Sequence, residues 1–459
     1  MKKLSFTLCL CLLALVSCSS GCRQQQATGV ADDSALDTVI VEPGEAADAA
    51  STQPQPAASG RPSASATAAE SQLSPLQTIE IDAAALLAAQ LTPEQLAQGW
   101  VRLFDGQSLF GWFIVGDAEW QFATDGVLTA TRGEPSYLCT SFQIPNYELR
   151  LDFRGDADSH SSIFLRTGPQ PQDVAHDCLQ LSLTAADSEF PTGSLVERQK
   201  VEPSELGEFD PSEWHSLAVR VVGTQVSVRL DDKPILELDG LDVAPDGHIS
   251  LHHESGRIEF RNILLRPLDP TELKLGADWE QDWRLSEKAE NTFKATVVDD
   301  GLQLTGGLGQ LQSKQAYDNF MLQARYTLAT PEVNSGIFFR CIPDAMLDGY
   351  ECQVNHAVAD GDPLRAIDAG AGAIFRRQSA RIVIGDGSQP TYLTLLANGP
   401  QMVSWVNGVQ VVDFYDTREP DDNPRKGLRL AAGPIALQGH DETTDVTFQS
   451  IAISPFHTE

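Results

Sequence analysis

Basic residues are scarce in this 459-residue chain: 32 Lys and Arg stand against 64 Asp and Glu, a formal net charge of −32. Such a chain repels phosphate backbones and anionic lipid heads, which excludes nucleic acid as a natural partner. Long apolar runs are missing beyond the first twenty residues, so no later segment suits a helical membrane span. None of the eight cysteines forms a CxxC pair, and no histidines cluster at zinc-like spacing, so no metal site is assigned. A Walker loop, a GxSxG elbow and a dinucleotide fingerprint are absent too. No cofactor is evident, and the motifs neither require nor exclude a divalent metal. Helical periodicity is largely lacking. The chain instead has 35 Gly and 26 Pro, which supply turns, and 42% hydrophobic residues, enough to build a core. Turn-rich, apolar and non-helical composition points to β architecture.

The N-terminus reads as an address. Lys2 and Lys3 precede an apolar stretch over 4–16, and Leu15-Val16-Ser17-Cys18 resembles a bacterial lipobox with Cys18 as the lipidated residue. A signal segment over 1–22 exports the chain and anchors it by lipid to the bacterial cell envelope. An ordinary signal peptide cut nearby is the alternative. Residues 23–75 are rich in Ala, Ser, Gln and Pro and poor in large apolar groups, so they are expected to be a disordered linker. A short helical lead-in is expected over 76–99, where Thr92-Pro93-Glu94-Gln95 makes a capping box and Gly99 ends the helix.

After Gly99 the pattern changes to period two. Glu148 to Arg154 alternates polar and apolar residues, as do Leu217 to Leu230 and Gly256 to Leu265, which predicts half-buried strands. The chain also repeats itself. Ser162-Ile163-Phe164-Leu165-Arg166 returns as Gly336-Ile337-Phe338-Phe339-Arg340, and Gly247-His248-Ile249-Ser250-Leu251 returns as Gly433-Pro434-Ile435-Ala436-Leu437. A period this long is not a solenoid, so the repeat predicts two homologous β-sandwiches, 100–268 and 273–456. The join near Pro267 to Glu272 predicts halves that fold separately. Cys341 and Cys352 flank an expected hairpin, and an exported chain allows a disulfide between them, with free buried thiols as the alternative.

Leu103-Phe104-Asp105-Gly106-Gln107-Ser108-Leu109-Phe110-Gly111-Trp112 resembles the opening signature of the bacterial 3-keto-disaccharide hydrolase domain. Asn334-Ser335-Gly336-Ile337-Phe338-Phe339-Arg340, Tyr350-Glu351-Cys352-Gln353-Val354 and Ile258 to Ile263 are similar to it as well. The resemblance implies an all-β fold of two tandem concanavalin A-like jelly-roll sandwiches. It implies an oxidised glycoside as substrate, an oxidoreductase as partner, and hydrolysis by proton abstraction at C2 with elimination and hydration at C1. Copy one has Ser161 where the family prefers Asn and Asp177-Cys178-Leu179-Gln180 where it prefers Tyr-Glu-x-Gln, so copy two is expected to carry any activity. There Glu351 is the candidate base, Arg340 the candidate oxyanion holder and His440 the candidate acid or base. Asn334, Tyr350, Gln353 and Gln438 are the expected substrate contacts. Glu351 and Gln353 share one face of a strand. The alternative is a non-catalytic surface lipoprotein that binds carbohydrate through two lectin-like domains.

Overall fold

The computed structural model describes residues 82–122, 126–185, 188–288 and 291–456. The signal segment, Cys18 and the linker lie outside them. The described part of the lead-in contains two short helices, α1 (Ala83–Ala88) and α2 (Pro93–Ala97). Asp82 caps α1 by accepting from the Ala84 and Ala85 amides. The Thr92–Gln95 capping box starts α2, and Gly99 at φ +83° turns the chain out of it.

Two sandwiches follow, each an eight-stranded sheet over a five-stranded one, with every strand pair antiparallel. In copy one the smaller sheet runs Trp112–Gly116, Ser136–Thr140, His248–Ser255, His160–Thr167, Leu179–Leu183. In copy two it runs Trp283–Leu285, Gly309–Tyr317, Gly433–Gly439, Ser335–Phe339, Tyr350–Val354. The strand order is the same, as is that of the larger sheets, so the sequence repeat is a repeat of topology. Alternation does the local work. Leu149, Leu151 and Phe153 fill the first core while Arg150 faces solvent on the same strand.

The repeated arginine is structural in both copies. Arg340 is fully buried at φ +47°, and its guanidinium donates to the carbonyls of Asp318 (2.7 Å), Gly399 (2.7 Å) and Arg429 (3.2 Å) and to Asn319 Oδ1 (3.0 Å). Arg166, at φ +50°, does the same with Pro145, Gly223 and Asn146. Each clamps the end of a strand on the smaller sheet to turns of the larger one. Burial pulls the Arg340 pKa down to about 10, which still leaves it charged at neutral pH. The expected oxyanion role of Arg340 is therefore corrected: its donors are spent on backbone. Arg340→Leu strands several buried carbonyls, at about 1–3 kcal/mol each. Thermal unfolding should show a loss of at least about 3 kcal/mol, and an unchanged melting temperature would contradict the clamp.

The expected disulfide is also corrected. Cys341 and Cys352 are both buried free thiols. Cys352 points into the sandwich core, whereas Cys341 packs with Phe338, Leu347 and Ala436 on the opposite side of the sheet. A β-sheet between two sulfurs prevents their pairing.

Each copy has its own core cluster, but residues cross between the two. Met321, Leu396, Val403, Trp405 and Phe456 of copy two belong to the hydrophobic cluster of copy one. Trp405 meets Phe142 edge to face at 5.5 Å and donates to the Arg102 carbonyl at 3.1 Å. Leu86 of α1, ahead of copy one in sequence, is buried in the core of copy two. Asp105, from the opening signature, pairs with Arg381 of copy two at 2.9 Å, both side chains almost buried. It also caps its own turn through the Gln107 and Ser108 amides. The signature is thus a joint between the sandwiches. All described residues fall within one unit, 68–459.

Candidate active site on the second sandwich

Strand alternation divides Tyr350–Val354 between two environments. Tyr350, Cys352 and Val354 enter the core, and Glu351 and Gln353 face outward. Tyr350 is therefore corrected as a substrate contact. Its ring stacks on Phe339 at 5.4 Å, and its hydroxyl donates to Asp416 at 2.7 Å. On the neighbouring strand Gly336 lies opposite Gln353 and Phe338 opposite Glu351. Gly336 is needed for space, because a Cβ there would stand 2.7 Å from Glu351 Oε1.

Outward of this strand pair lies a polar cluster. Gln353 Nε2 donates to Asn334 Oδ1 at 3.0 Å and to Asp368 Oδ2 at 3.1 Å, and Asn334 Nδ2 donates to Asp368 Oδ2 at 2.7 Å. The Oε1 atoms of Gln353 and Gln438 are buried without a hydrogen-bond partner among the described residues. Two unpaired amide oxygens on one face are costly unless something donates to them. Among the described residues the Glu351 carboxyl has no hydrogen bond or ion pair. Burial, and then the charge of Asp368, push its pKa up to about 8, against the opposing pull of Arg425 and Arg376. Those two cations come from loops. Arg425 is held by Asp348 at 3.3 Å and by the Leu347 carbonyl at 2.9 Å, and the exposed Arg376 lies over the Phe375 ring.

His440 follows the central strand Gly433–Gly439. Its ring Nδ1 lies 2.8 Å from Asp441 Oδ2, with the side chain 43% exposed. The turn it begins touches the Asn334 carbonyl through Thr444 Oγ1 at 3.4 Å, which sets it at the edge of the cluster. The structure thus brings together Glu351, Gln353 and Asn334, with His440 at the margin, and leaves Arg340 and Tyr350 outside. Asp368, Arg376 and Arg425 went unread in the sequence. Arg376 directly follows Gly372-Ala373-Ile374-Phe375, which repeats Gly193-Ser194-Leu195-Val196 of copy one, a usable signal, whereas Arg425 sits in an aperiodic loop. Cavities of about 410 and 720 Å³ lie elsewhere, beside Trp100 and beside His356, and Glu351 lines neither.

Register identifies the equivalent place in copy one. Phe164 pairs with Gln180 as Phe338 pairs with Glu351, and Ser162 with Ser182 as Gly336 with Gln353. The amide of Val196 donates to the Gln180 carbonyl, as that of Phe375 does to Glu351. Gln180 therefore occupies the position of Glu351. The expected match of Cys178 to Glu351 is corrected by two residues, because the loop after Arg340 is shorter than that after Arg166. The match of Ser161 to Asn is corrected by one: Ser161 corresponds to Ser335, both hydroxyls donating to a carbonyl of the central strand.

No curated protein matches the chain. Among solved structures it is similar to two candidate glycosyl hydrolases from Parabacteroides distasonis ATCC 8503. One is 18% identical over 39% of this chain and 99% of that one, with a TM-score of 0.33. The other is 22% identical over 37% and 99%, with a TM-score of 0.30. It is also similar to the carbohydrate-binding module CBM66 from Bacillus subtilis, at 15% identity over 34% and 95%, with a TM-score of 0.26. The 3-keto-alpha-glucoside-1,2-lyase-like domain matches residues 99–266 and again 271–454, one match to each sandwich. With the two matches together covering most of its length, the chain belongs to the 3-keto-alpha-glucoside-1,2-lyase-like domain family.

Proposed function

We propose that the second sandwich acts on a glycoside already oxidised to a ketone at C3, cleaving the bond at C1 by elimination. The observation that carries this reading is Glu351: a half-buried carboxyl without a hydrogen-bond partner, its pKa near 8, facing a polar cluster and flanked by two arginines. A C3 ketone acidifies the proton on C2. Glu351 takes that proton as its carboxyl is formed, and the C2 electron pair moves into the enolate. Arg376 or Arg425 offsets the charge on the enolate oxygen. Collapse of the enolate expels the C1 oxygen, which takes up a proton from His440 or from water. The products are an unsaturated 3-keto sugar and the freed alcohol. Water adding across the double bond completes a net hydrolysis. Membership of the family supports a carbohydrate substrate. Lys2, Lys3, the apolar 4–16 segment and Cys18 support export and lipid attachment.

The test is release of alcohol from a methyl 3-keto-glucoside by the purified chain, followed against pH. A base must be ionised to act. With its pKa near 8, the rate should rise about tenfold per pH unit below that value and flatten above it. A rate that is level from pH 5 to pH 9, or absent throughout, contradicts the assignment.

A further inference from the structure

The first sandwich has lost the carboxyl but kept the face. We propose that the outer face of its five-stranded sheet, around Tyr137, Phe164, His252 and Gln180, is a binding site for an uncharged pyranose ring that it does not cleave. This rests on the carbohydrate reading of the family and not on turnover in copy two.

The three rings pack on one another. Tyr137 lies 4.7 Å from His252 and 5.3 Å from Phe164, and Phe164 lies 5.3 Å from His252. Phe164 and His252 are buried, and Tyr137 is half-exposed, so the tyrosine presents the accessible surface. A rigid aromatic plane with polar groups at its edge suits a sugar, whose C–H face is apolar and whose rim is hydroxyl. Gln180 sits across the sheet with its Nε2 on Ser162 Oγ at 2.9 Å, and no hydrogen bond to its Oε1 occurs among the described residues. His252 has no hydrogen bond through its ring among the described residues, and its Nδ1 is buried. Burial, and then His253, lower its pKa to about 4, so the imidazole is neutral at physiological pH. Nε2 is not among the buried unpaired atoms, so it is the ring nitrogen left to meet a ligand hydroxyl.

At the position of Tyr137 the outer face of copy two is covered. The register equates Tyr137 with Gln310, each lying opposite the matching position of the central strand. Gln310 is buried under the 345–347 loop, bonded to the Ala345 carbonyl at 2.8 Å and the Leu347 amide at 2.7 Å. Copy one therefore presents a partly exposed ring where copy two is roofed, and carries a neutral amide where copy two carries an acid.

The experiment is titration of the whole chain with unoxidised methyl glycosides of glucose, galactose and mannose, read by calorimetry. At least one should bind saturably at one site per chain. Tyr137→Ala should weaken it about tenfold, and Tyr137→Phe, which keeps the ring, should hold affinity within about threefold. Glu351→Gln should leave that binding unchanged. Circular dichroism confirms that each variant is folded. Absence of binding by all three sugars overturns the proposal, as does affinity indifferent to Tyr137→Ala or lost only through copy two. Release of alcohol from the 3-keto-glucoside should survive Tyr137→Ala. If turnover is absent in every variant while Tyr137-dependent binding persists, the elimination reading fails and this one stands.

Discussion

Glu351→Gln should lower turnover of a 3-keto-glucoside by about 10²–10⁴-fold, the range over which a positioned general base contributes. The effect is confined to chemistry because the carboxyl supports no other residue. Among the described residues it makes no hydrogen bond or ion pair, and glutamine has its shape. The stability change has a definite sign. A carboxyl whose folded pKa lies near 8 is held protonated by the fold. The stability tied to that proton is fully present below the ordinary carboxylate pKa and is lost as pH rises through about 8. Glutamine has nothing to lose there. The variant should melt at the same temperature as the parent at pH 4 and above it at pH 9. Turnover preserved in Glu351→Gln removes the base from the mechanism. Turnover lost together with a lower melting temperature at every pH assigns Glu351 a structural role instead.

The chain already contains this substitution, since Gln180 stands where Glu351 stands in the other copy. That fact was hidden in the sequence by loop length. The offset between copies is 174 at Arg166 and Arg340 but 171 at Gln180 and Glu351, so a constant offset misplaces the second strand. The sandwich itself was legible, because alternation reports which side of a strand is buried, and the long repeat reports duplication. Alternation also bears on Tyr350, which lies next to Glu351 and so had to face the core. Arg340 misled for a different reason. An arginine repeated in both copies suits a substrate site and a backbone clamp equally well, and only its left-handed φ and its carbonyl partners separate the two. Asp368 and Arg425 come from irregular segments, where no period ties a residue to a face. The disulfide reading failed because proximity along a hairpin does not say on which side of the sheet a sulfur lies.

Trp405→Ala should destabilise both sandwiches together, by about 3–5 kcal/mol. The side chain is fully buried, packs against Phe142 and lies in the core of the copy to which it does not belong by sequence. Calorimetry of the parent should give one transition, which the variant shifts as a whole. The lead-in reinforces this coupling, because Leu86 precedes copy one and fills the core of copy two. A second sandwich cut free near Pro267 loses that leucine and exposes Met321, Leu396, Val403 and Trp405. It should be poorly folded when expressed alone. Two separated transitions, with only one moved by Trp405→Ala, would show that the copies fold independently and that the shared cluster is mere contact. A single transition also bears on why a copy with Gln180 in place of the carboxylate persists: the first sandwich supplies the surface on which the second is built, through Phe142, Arg102 and the Asp105–Arg381 pair. Its loss would therefore cost turnover even if it never touched the substrate. That makes Tyr137→Ala, which leaves the joint intact, the substitution that separates binding by copy one from support by copy one.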